Sequence, residues 1–151
     1  MPLPAPLHTL IADGSDAFLS GMIQWISSCP DLQLVGTARN GPEALDAVSR
    51  LAPDLVILEA GLPGIDGFRL TRTLKSRPGA PLVVLVTFHA SAAARAEARA
   101  AGADALLATP DFTDGLEAIL EEWAKGKIVA VEPVTTPTKP ARRGSQTVPD
   151  P

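Results

Sequence analysis

Short apolar runs alternate with longer segments of helical periodicity along most of the chain. Continuous apolar runs bounded by Gly, Pro, Asp or Asn are typical of strands buried on both faces of a parallel sheet. The predicted strands are Leu7–Ala12, Leu32–Ala38, Leu55–Leu58, Leu82–Val86 and Ala105–Ala108. Their regular alternation with helices predicts an α/β domain with right-handed crossovers.

The segments between these runs place apolar residues on one helical face. The predicted helices are Asp16–Ser28, Pro42–Ala52, Phe68–Arg77, Ser91–Ala101 and Asp111–Lys125. Pro42 is expected at the first helical position of the second helix, where its missing N–H costs nothing. Gly102 is expected just beyond the fourth helix, where a left-handed conformation ends many helices. In the third helix, Phe68, Leu70 and Leu74 are candidate buried positions.

Composition and charge narrow the class of protein. An apolar content of 46% in 151 residues is enough for the core of one domain. Residues 1–126 carry nine basic and fifteen acidic side chains, whereas residues 127–151 carry four and two. An acidic body argues against a nucleic-acid or membrane surface. Residues 1–126 are therefore predicted as the domain, and residues 127–151, with five prolines, as a flexible tail.

Sequence features that mark export, membranes or disulfides are absent. No signal peptide is evident at the start, and no run approaches 18 apolar residues. Cys29 is the single cysteine, so no internal disulfide or cysteine-based metal site is expected. The expected location is the cytoplasm.

The stretch Pro53–Phe68 contains the main candidate for chemistry. It reads Pro-Asp-Leu-Val-Ile-Leu-Glu-Ala-Gly-Leu-Pro-Gly-Ile-Asp-Gly-Phe. Glu59 ends the buried strand, and ligands of open α/β sheets bind at the carboxyl ends of strands. This stretch closely resembles the third strand and following loop of the bacterial response-regulator receiver domain of two-component signalling. There the pattern is Pro-Asp, four apolar residues and Asp, followed by Leu-Pro-Gly, an apolar residue and Asp-Gly.

The resemblance implies a flavodoxin-like (βα)5 fold with strand order 2-1-3-4-5 and an acidic pocket. In the family, a histidine kinase's phosphoryl group moves to Asp, assisted by Mg²⁺, a hydroxyl residue and Lys. This sequence keeps the first acid as Asp13 and the hydroxyl as Thr87. It has Gly14 in place of the second, metal-binding acid, Glu59 in place of the acceptor Asp, and Thr109 in place of Lys.

Two further positions follow from the resemblance. Leu106 stands where an aromatic residue is usual in the fifth strand. The bond between Thr109 and Pro110 corresponds to a Lys-Pro bond that is usually cis in the family, which favours a cis bond here.

These changes act together against phosphotransfer. Glu59 extends the carboxylate by one methylene, about 1.5 Å, and a misplacement of about 1 Å can cost on the order of 10²-fold in rate. Metal and Lys must also neutralise the phosphoryl oxygens. Only Asp13, Glu59 and the Gly61 backbone remain as possible metal ligands. The prediction is a receiver without aspartyl phosphorylation, without catalytic residues or cofactor, and with at most weak Mg²⁺ binding.

Several alternatives remain open at this stage. Glu59 is interpreted as a permanent mimic of phospho-Asp, as a remnant without chemistry, or as part of a site for another ligand or a partner. Thr87 and Thr109 are equally explained as partners of strand-end backbone groups, and His89 as a surface residue. The chain itself is a pseudo-receiver, a phosphorylated receiver with substituted residues, or a small-molecule-binding flavodoxin-like domain. Output is expected through a protein partner or homodimer on the face formed by Ser91–Lys125.

Overall fold

The computed structural model describes residues 5–126, which form a five-stranded parallel sheet in the order β2-β1-β3-β4-β5. The strands are β1 (Leu7–Ala12), β2 (Leu32–Ala38), β3 (Leu55–Glu59), β4 (Leu82–Thr87) and β5 (Ala105–Ala108). The helices are α1 (Asp16–Ser27), α2 (Gly41–Leu51), α3 (Gly67–Lys75), α4 (Ala92–Ala101) and α5 (Phe112–Ala124). A 3₁₀ turn, Thr109–Asp111, leads into α5. The predicted fold class and strand order are confirmed.

The sheet lies between two apolar layers. α2, α3 and α4 pack on one side around Leu10, Val56 and Leu85. α1 and α5 pack on the other side, around Ile11 and Ile57. β3 is central, and its residues Leu55–Leu58 are fully buried because helices cover both of its faces. This arrangement leaves β5 at one edge and brings the carboxyl ends of four strands together.

Polar caps explain where several helices begin. Ser15, Asn40, Asp66 and Ser91 each accept a hydrogen bond from the backbone N–H three residues later. Such a bond satisfies one of the N–H groups that has no partner inside the helix. At the other end of α4, Gly102 takes a left-handed conformation (φ 89°), as predicted.

Three sequence-based expectations require correction. The bond between Thr109 and Pro110 is trans, like every peptide bond in residues 5–126. Pro110 lies at the start of a 3₁₀ turn, where a trans proline with its fixed φ is well suited. α2 begins at Gly41, so Pro42 is its second residue. Phe68 is half-buried and packs at the margin of the core, while Leu70 and Leu74 are fully buried.

The predicted flexible tail, residues 127–151, lies outside the described residues. Within residues 5–126, no helix combines the length and the apolar character that crossing a membrane requires.

Candidate functional site

Four strands deliver the predicted site residues to one cavity at the carboxyl edge of the sheet. Asp13 follows β1, Glu59 ends β3, Thr87 ends β4, and Thr109 follows β5. All four line a cavity of about 410 Å³, together with Gly61 in the loop after β3. The clustering expected from strand-end geometry is therefore present. We call this space the acidic cavity.

Asp13 is a buried carboxyl group without a cationic partner among the residues lining the acidic cavity. It is 5% exposed, and its Oδ1 accepts a hydrogen bond of 2.8 Å from the Ser15 N–H. Burial, against the lowering effect of the Ser15 N–H and with a smaller contribution from the neighbouring Glu59 carboxylate, raises the pKa of Asp13 to about 6. Asp13 is thus ionised at neutral pH only at a free-energy cost.

The Glu59 carboxylate reaches across to the loop that follows β1. The Gly14 N–H donates a hydrogen bond of 2.8 Å to Glu59 Oε1. The longer side chain of Glu makes this contact from β3. The position at which the resemblance implied a second acid therefore supplies a backbone donor, and Glu59 uses one of its oxygens to accept from it.

The loop after β3 is held close to the strand end by Gly67. The Gly67 N–H donates to the Ala60 carbonyl oxygen at 2.8 Å. A Cβ at Gly67 would collide with the Glu59 carbonyl oxygen and with Ala60. Only glycine permits this approach, so Gly67 helps to determine where the backbone of Glu59 lies.

The two threonine hydroxyls contact backbone groups. Thr109 Oγ1 donates to the Thr87 carbonyl oxygen at 3.2 Å, which ties β5 to β4 beyond the last ladder bonds. Thr87 Oγ1 reaches the His89 carbonyl oxygen at 3.5 Å, a weak contact. His89 itself is exposed in the loop after β4. These contacts are those of strand-end threonines that satisfy backbone acceptors.

The donor set does not fit an ordinary Mg²⁺ site. Among the described residues, the only carboxylates that line the acidic cavity are those of Asp13 and Glu59, and Glu59 Oε1 already accepts the Gly14 N–H. Mg²⁺ requires near-octahedral oxygen coordination. Across residues 5–126, no three His, Cys, Asp or Glu side chains converge on a point that could hold a metal.

Sequence reasoning missed an aromatic surface beside this cavity. Phe18 and Phe88 line the acidic cavity, and Phe88 is 83% exposed. Phe18 and Trp25 each contact Phe112 edge to face, with ring centroids 6.0 and 6.3 Å apart. A second cavity of about 360 Å³, between α1 and the start of α5, is lined by Phe18, Trp25, Phe112 and Pro110.

We call this second cavity the aromatic groove. Phe18 and Thr109 line both spaces, so the two are adjacent. Phe88, a large apolar residue directly after the end of β4, was the one signal in the sequence that could have indicated aromatic residues beside the acidic cavity.

Comparison with known proteins agrees with the fold. Residues 9–121 match the response regulator receiver domain. The structure is similar to the receiver domain of the response regulator NarL from Mycobacterium tuberculosis, with a TM-score of 0.74 and 24% identity, covering 82% of this chain and 99% of that one.

Two curated relatives illustrate the range of whole proteins that carry a similar domain. The nitrate/nitrite response regulator NarL of Escherichia coli K12 is 32% identical over 132 residues, which is 86% of this chain and 60% of the relative. A protein-glutamate methylesterase/protein-glutamine glutaminase of Myxococcus xanthus is 38% identical over 87 residues, 58% of this chain and 25% of the relative. The chain thus spans between a quarter and three fifths of the lengths of these two. With the family match covering most of the chain, it belongs to the response regulator receiver domain family.

Proposed function

We propose that this chain is an atypical receiver of two-component signalling that works through protein–protein contacts without aspartyl phosphorylation. The observation that carries the proposal is the hydrogen bond from the Gly14 N–H to Glu59 Oε1. A nucleophilic carboxylate must meet phosphorus with a free oxygen and with positive charge around the phosphoryl group. Here the longer carboxylate has one oxygen held by the Gly14 N–H, and no cationic side chain within residues 5–126 lines the cavity around the other.

The electrostatics of the acidic cavity support the same proposal. An incoming phosphoryl group would meet Asp13 and Glu59 and no cationic side chain among the described lining residues. Electrostatic stabilisation of developing charge is usually the largest catalytic contribution, and loss of one such group costs about 10²–10³ in rate. In this proposal the described domain has no enzymatic activity of its own.

The decisive experiment restores the missing groups one at a time and together. We expect Glu59→Asp alone, Gly14→Asp alone and Thr109→Lys alone to remain unlabelled by a small phosphodonor with Mg²⁺. The triple variant should become labelled, because groups that act as a unit are not additive. A Cβ at Gly14 would lie 3.4 Å from Pro63 Cδ and 3.6 Å from Glu59 Oε1, so the cavity accommodates the new side chain. Intact mass and a beryllofluoride-induced thermal shift are the measurements.

A matched control places the new cation outside the acidic cavity. Thr113→Lys replaces Thr109→Lys in the triple variant; Thr113 is exposed and lines the aromatic groove only. This control should label about 10²-fold more slowly than the triple variant with Lys at position 109. Labelling of Glu59→Asp alone at the rate of the triple variant would overturn the proposal in favour of a phosphorylated receiver with substituted residues.

The second candidate, a phosphorylated receiver, is favoured by one observation. Asp13 and Thr87 still face the same cavity as the acceptor position. A small-molecule-binding flavodoxin-like domain is less well supported, because two carboxylates repel the phosphates of flavins and nucleotides. A thermal-shift scan against nucleotides and flavins separates this third candidate from the other two.

Weak Mg²⁺ binding is a separate prediction of the proposal. Calorimetric titration of the native chain should show affinity no tighter than the millimolar range, because Gly14 provides no carboxylate and Glu59 is already hydrogen-bonded. Glu59→Gln, which keeps the Oε1 acceptor, is the control for binding through that carboxylate. Micromolar affinity in the native chain would contradict the prediction.

A further inference from the structure

The aromatic groove is an apolar surface in a chain that has few aromatic residues. The whole sequence contains four Phe, two Trp and no Tyr. Phe18, Trp25, Phe88 and Phe112, four of these six, line the aromatic groove or the acidic cavity. Phe18 and Trp25 are half-buried, Phe88 is almost fully exposed, and Phe112, at 3% exposure, belongs to the core beneath Phe18 and Trp25. Aromatic-lined grooves beside a charged pocket bind extended proline-rich segments, whose backbone needs little ordering.

The chain itself contains a segment with complementary chemistry. Residues 133–143 read Pro-Val-Thr-Thr-Pro-Thr-Lys-Pro-Ala-Arg-Arg, with three prolines, three basic side chains and no acidic one. The acidic cavity offers Asp13 and Glu59, and the exposed Asp111 and Asp114 stand beside the groove residues Phe112 and Thr113. No Lys or Arg lines either space within residues 5–126.

The geometry of α5 allows this segment to reach the surface. α5 has 13 residues and runs about 20 Å from the groove at Phe112 to Ala124. Thirteen residue steps separate Gly126 from Lys139, and 13 steps of extended polyproline II cover about 40 Å. A segment returning along α5 meets Trp25 before Phe18 and the acidic cavity.

We propose that residues 133–143 dock in cis on the aromatic groove and place Lys139, Arg142 and Arg143 at the acidic cavity. The docked segment covers Glu59 and Thr87 together with the groove. A protein partner that uses this surface must therefore displace it. The proposal does not depend on whether Glu59 accepts a phosphoryl group.

The test uses the full chain with one spin label. In a Cys29→Ser background, Ser145→Cys places a nitroxide two residues beyond Arg143. We expect the amide signals of Gly21 and Thr113 to lose most of their intensity, while those of Ser49 and Thr73 on the opposite layer keep theirs. A mixed sample of ¹⁵N-enriched unlabelled chain and unenriched labelled chain should show no such loss. Loss in the mixed sample would mean docking between copies and would overturn docking in cis.

Matched variants separate the groove from general charge attraction. Gly21→Gln fills the groove from a site where a new Cβ has nothing within 4 Å, whereas Ser20→Gln changes an exposed neighbour outside it. If the segment docks in the groove, Gly21→Gln in the spin-labelled chain restores the intensity of the Thr113 amide signal, whereas Ser20→Gln leaves that signal weakened. The triple reversal Lys139→Glu, Arg142→Glu, Arg143→Glu should also restore it. Uniform weak broadening over both layers, or signals insensitive to these variants, would overturn the proposal.

Discussion

Asp13 and Glu59 bring two carboxyl groups to one cavity. The buried Asp13 has no cationic partner among the described residues that line this cavity, so its effect on the pH dependence of stability is opposite to that of an acid in a salt bridge. The pKa of Asp13 rises from 3.8 to about 6 in the folded chain, chiefly because of burial. Protonated Asp13 is therefore favoured by folding, and ionised Asp13 is disfavoured. As pH rises from 3.8 through 6, the contribution of Asp13 to the free energy of unfolding falls, and the loss is complete above the folded pKa.

We accordingly predict that Asp13→Asn stabilises the chain at neutral and alkaline pH. Asn keeps the Oδ1 acceptor for the Ser15 N–H and cannot ionise. The gain in free energy of unfolding should approach about 3 kcal/mol near pH 8 and vanish at about pH 3, below the unfolded pKa, since one pKa unit is worth about 1.4 kcal/mol. Urea unfolding at several pH values measures it.

The control for this prediction is Asp111→Asn. Asp111 is exposed and makes no capping hydrogen bond, so its replacement should leave the pH dependence unchanged. A native chain that gains stability through Asp13 as pH rises over this range would contradict the assignment.

At the scale of elements, one ion pair joins α3 to the strands at the end of the sheet opposite the acidic cavity. Lys75 Nζ lies 2.8 Å from Asp104 Oδ2, with side-chain exposures of 24% and 7%. Asp104 Oδ2 also accepts the Val83 N–H at 2.8 Å, and Lys75 Nζ donates to the Pro81 carbonyl oxygen at 3.0 Å. The pair thus connects the C-terminal turn of α3 with β4 and the start of β5.

Lys75→Met should be markedly destabilising, because it leaves a buried carboxylate with no cation. Breaking a buried pair costs about 3–5 kcal/mol, and the partial exposure of Lys75 places our expectation near 3 kcal/mol. Arg50→Met removes the exposed pair with Asp46 within α2 and should cost about 0.5 kcal/mol. Equal effects of the two substitutions on denaturant midpoints would show that the Lys75–Asp104 pair contributes no more to stability than an exposed ion pair.

The bounds of helices and strands show which features of the fold the local sequence pattern predicts and which it does not. α3 was predicted to extend to Arg77, but it ends at Lys75 with Ser76 as its C-cap. The Lys75 side chain turns toward Asp104, which is 29 residues away in sequence. A contact between such distant residues carries no local signal. By contrast, β1, β2 and β5 have the predicted bounds, because continuous apolar runs between breakers determine them locally.

For the whole molecule, the proposed output face is Ser91–Lys125. β5 is an edge strand flanked by α4 and α5, and Leu106 and Trp123 are buried beneath the face. The exposed residues of α4 are four alanines, Ala92, Ala93, Ala96 and Ala100, together with Glu97 and Arg99. Small exposed side chains permit close approach of a second helix.

We predict that Ala96→Arg weakens self-association or partner binding without loss of stability. Ala and Arg both favour helices, and an exposed substitution changes stability by about 0.5 kcal/mol or less. Sedimentation velocity over a range of concentrations measures association, and thermal unfolding measures stability.

Ser49→Arg on α2 is the matched control on a remote exposed surface. The prediction for this face fails if Ser49→Arg weakens association as much as Ala96→Arg. A native chain that stays monomeric at every concentration would exclude a homodimer through this face. The partner of this face would then be a different protein.

The sequence by itself determined the order and type of the elements in residues 5–126, because apolar periodicity and capping residues are local properties. It also indicated that Asp13, Glu59, Thr87 and Thr109 would meet, since parallel strands end at one edge of a sheet. The tertiary structure alone decided how they meet: the Gly14 N–H donates to Glu59, Asp13 is buried, and Thr109 bonds the Thr87 carbonyl oxygen. It also brought the rings of Phe18 and Trp25 against the buried ring of Phe112. These contacts join residues far apart in sequence, and their geometry depends on how helices pack across the sheet.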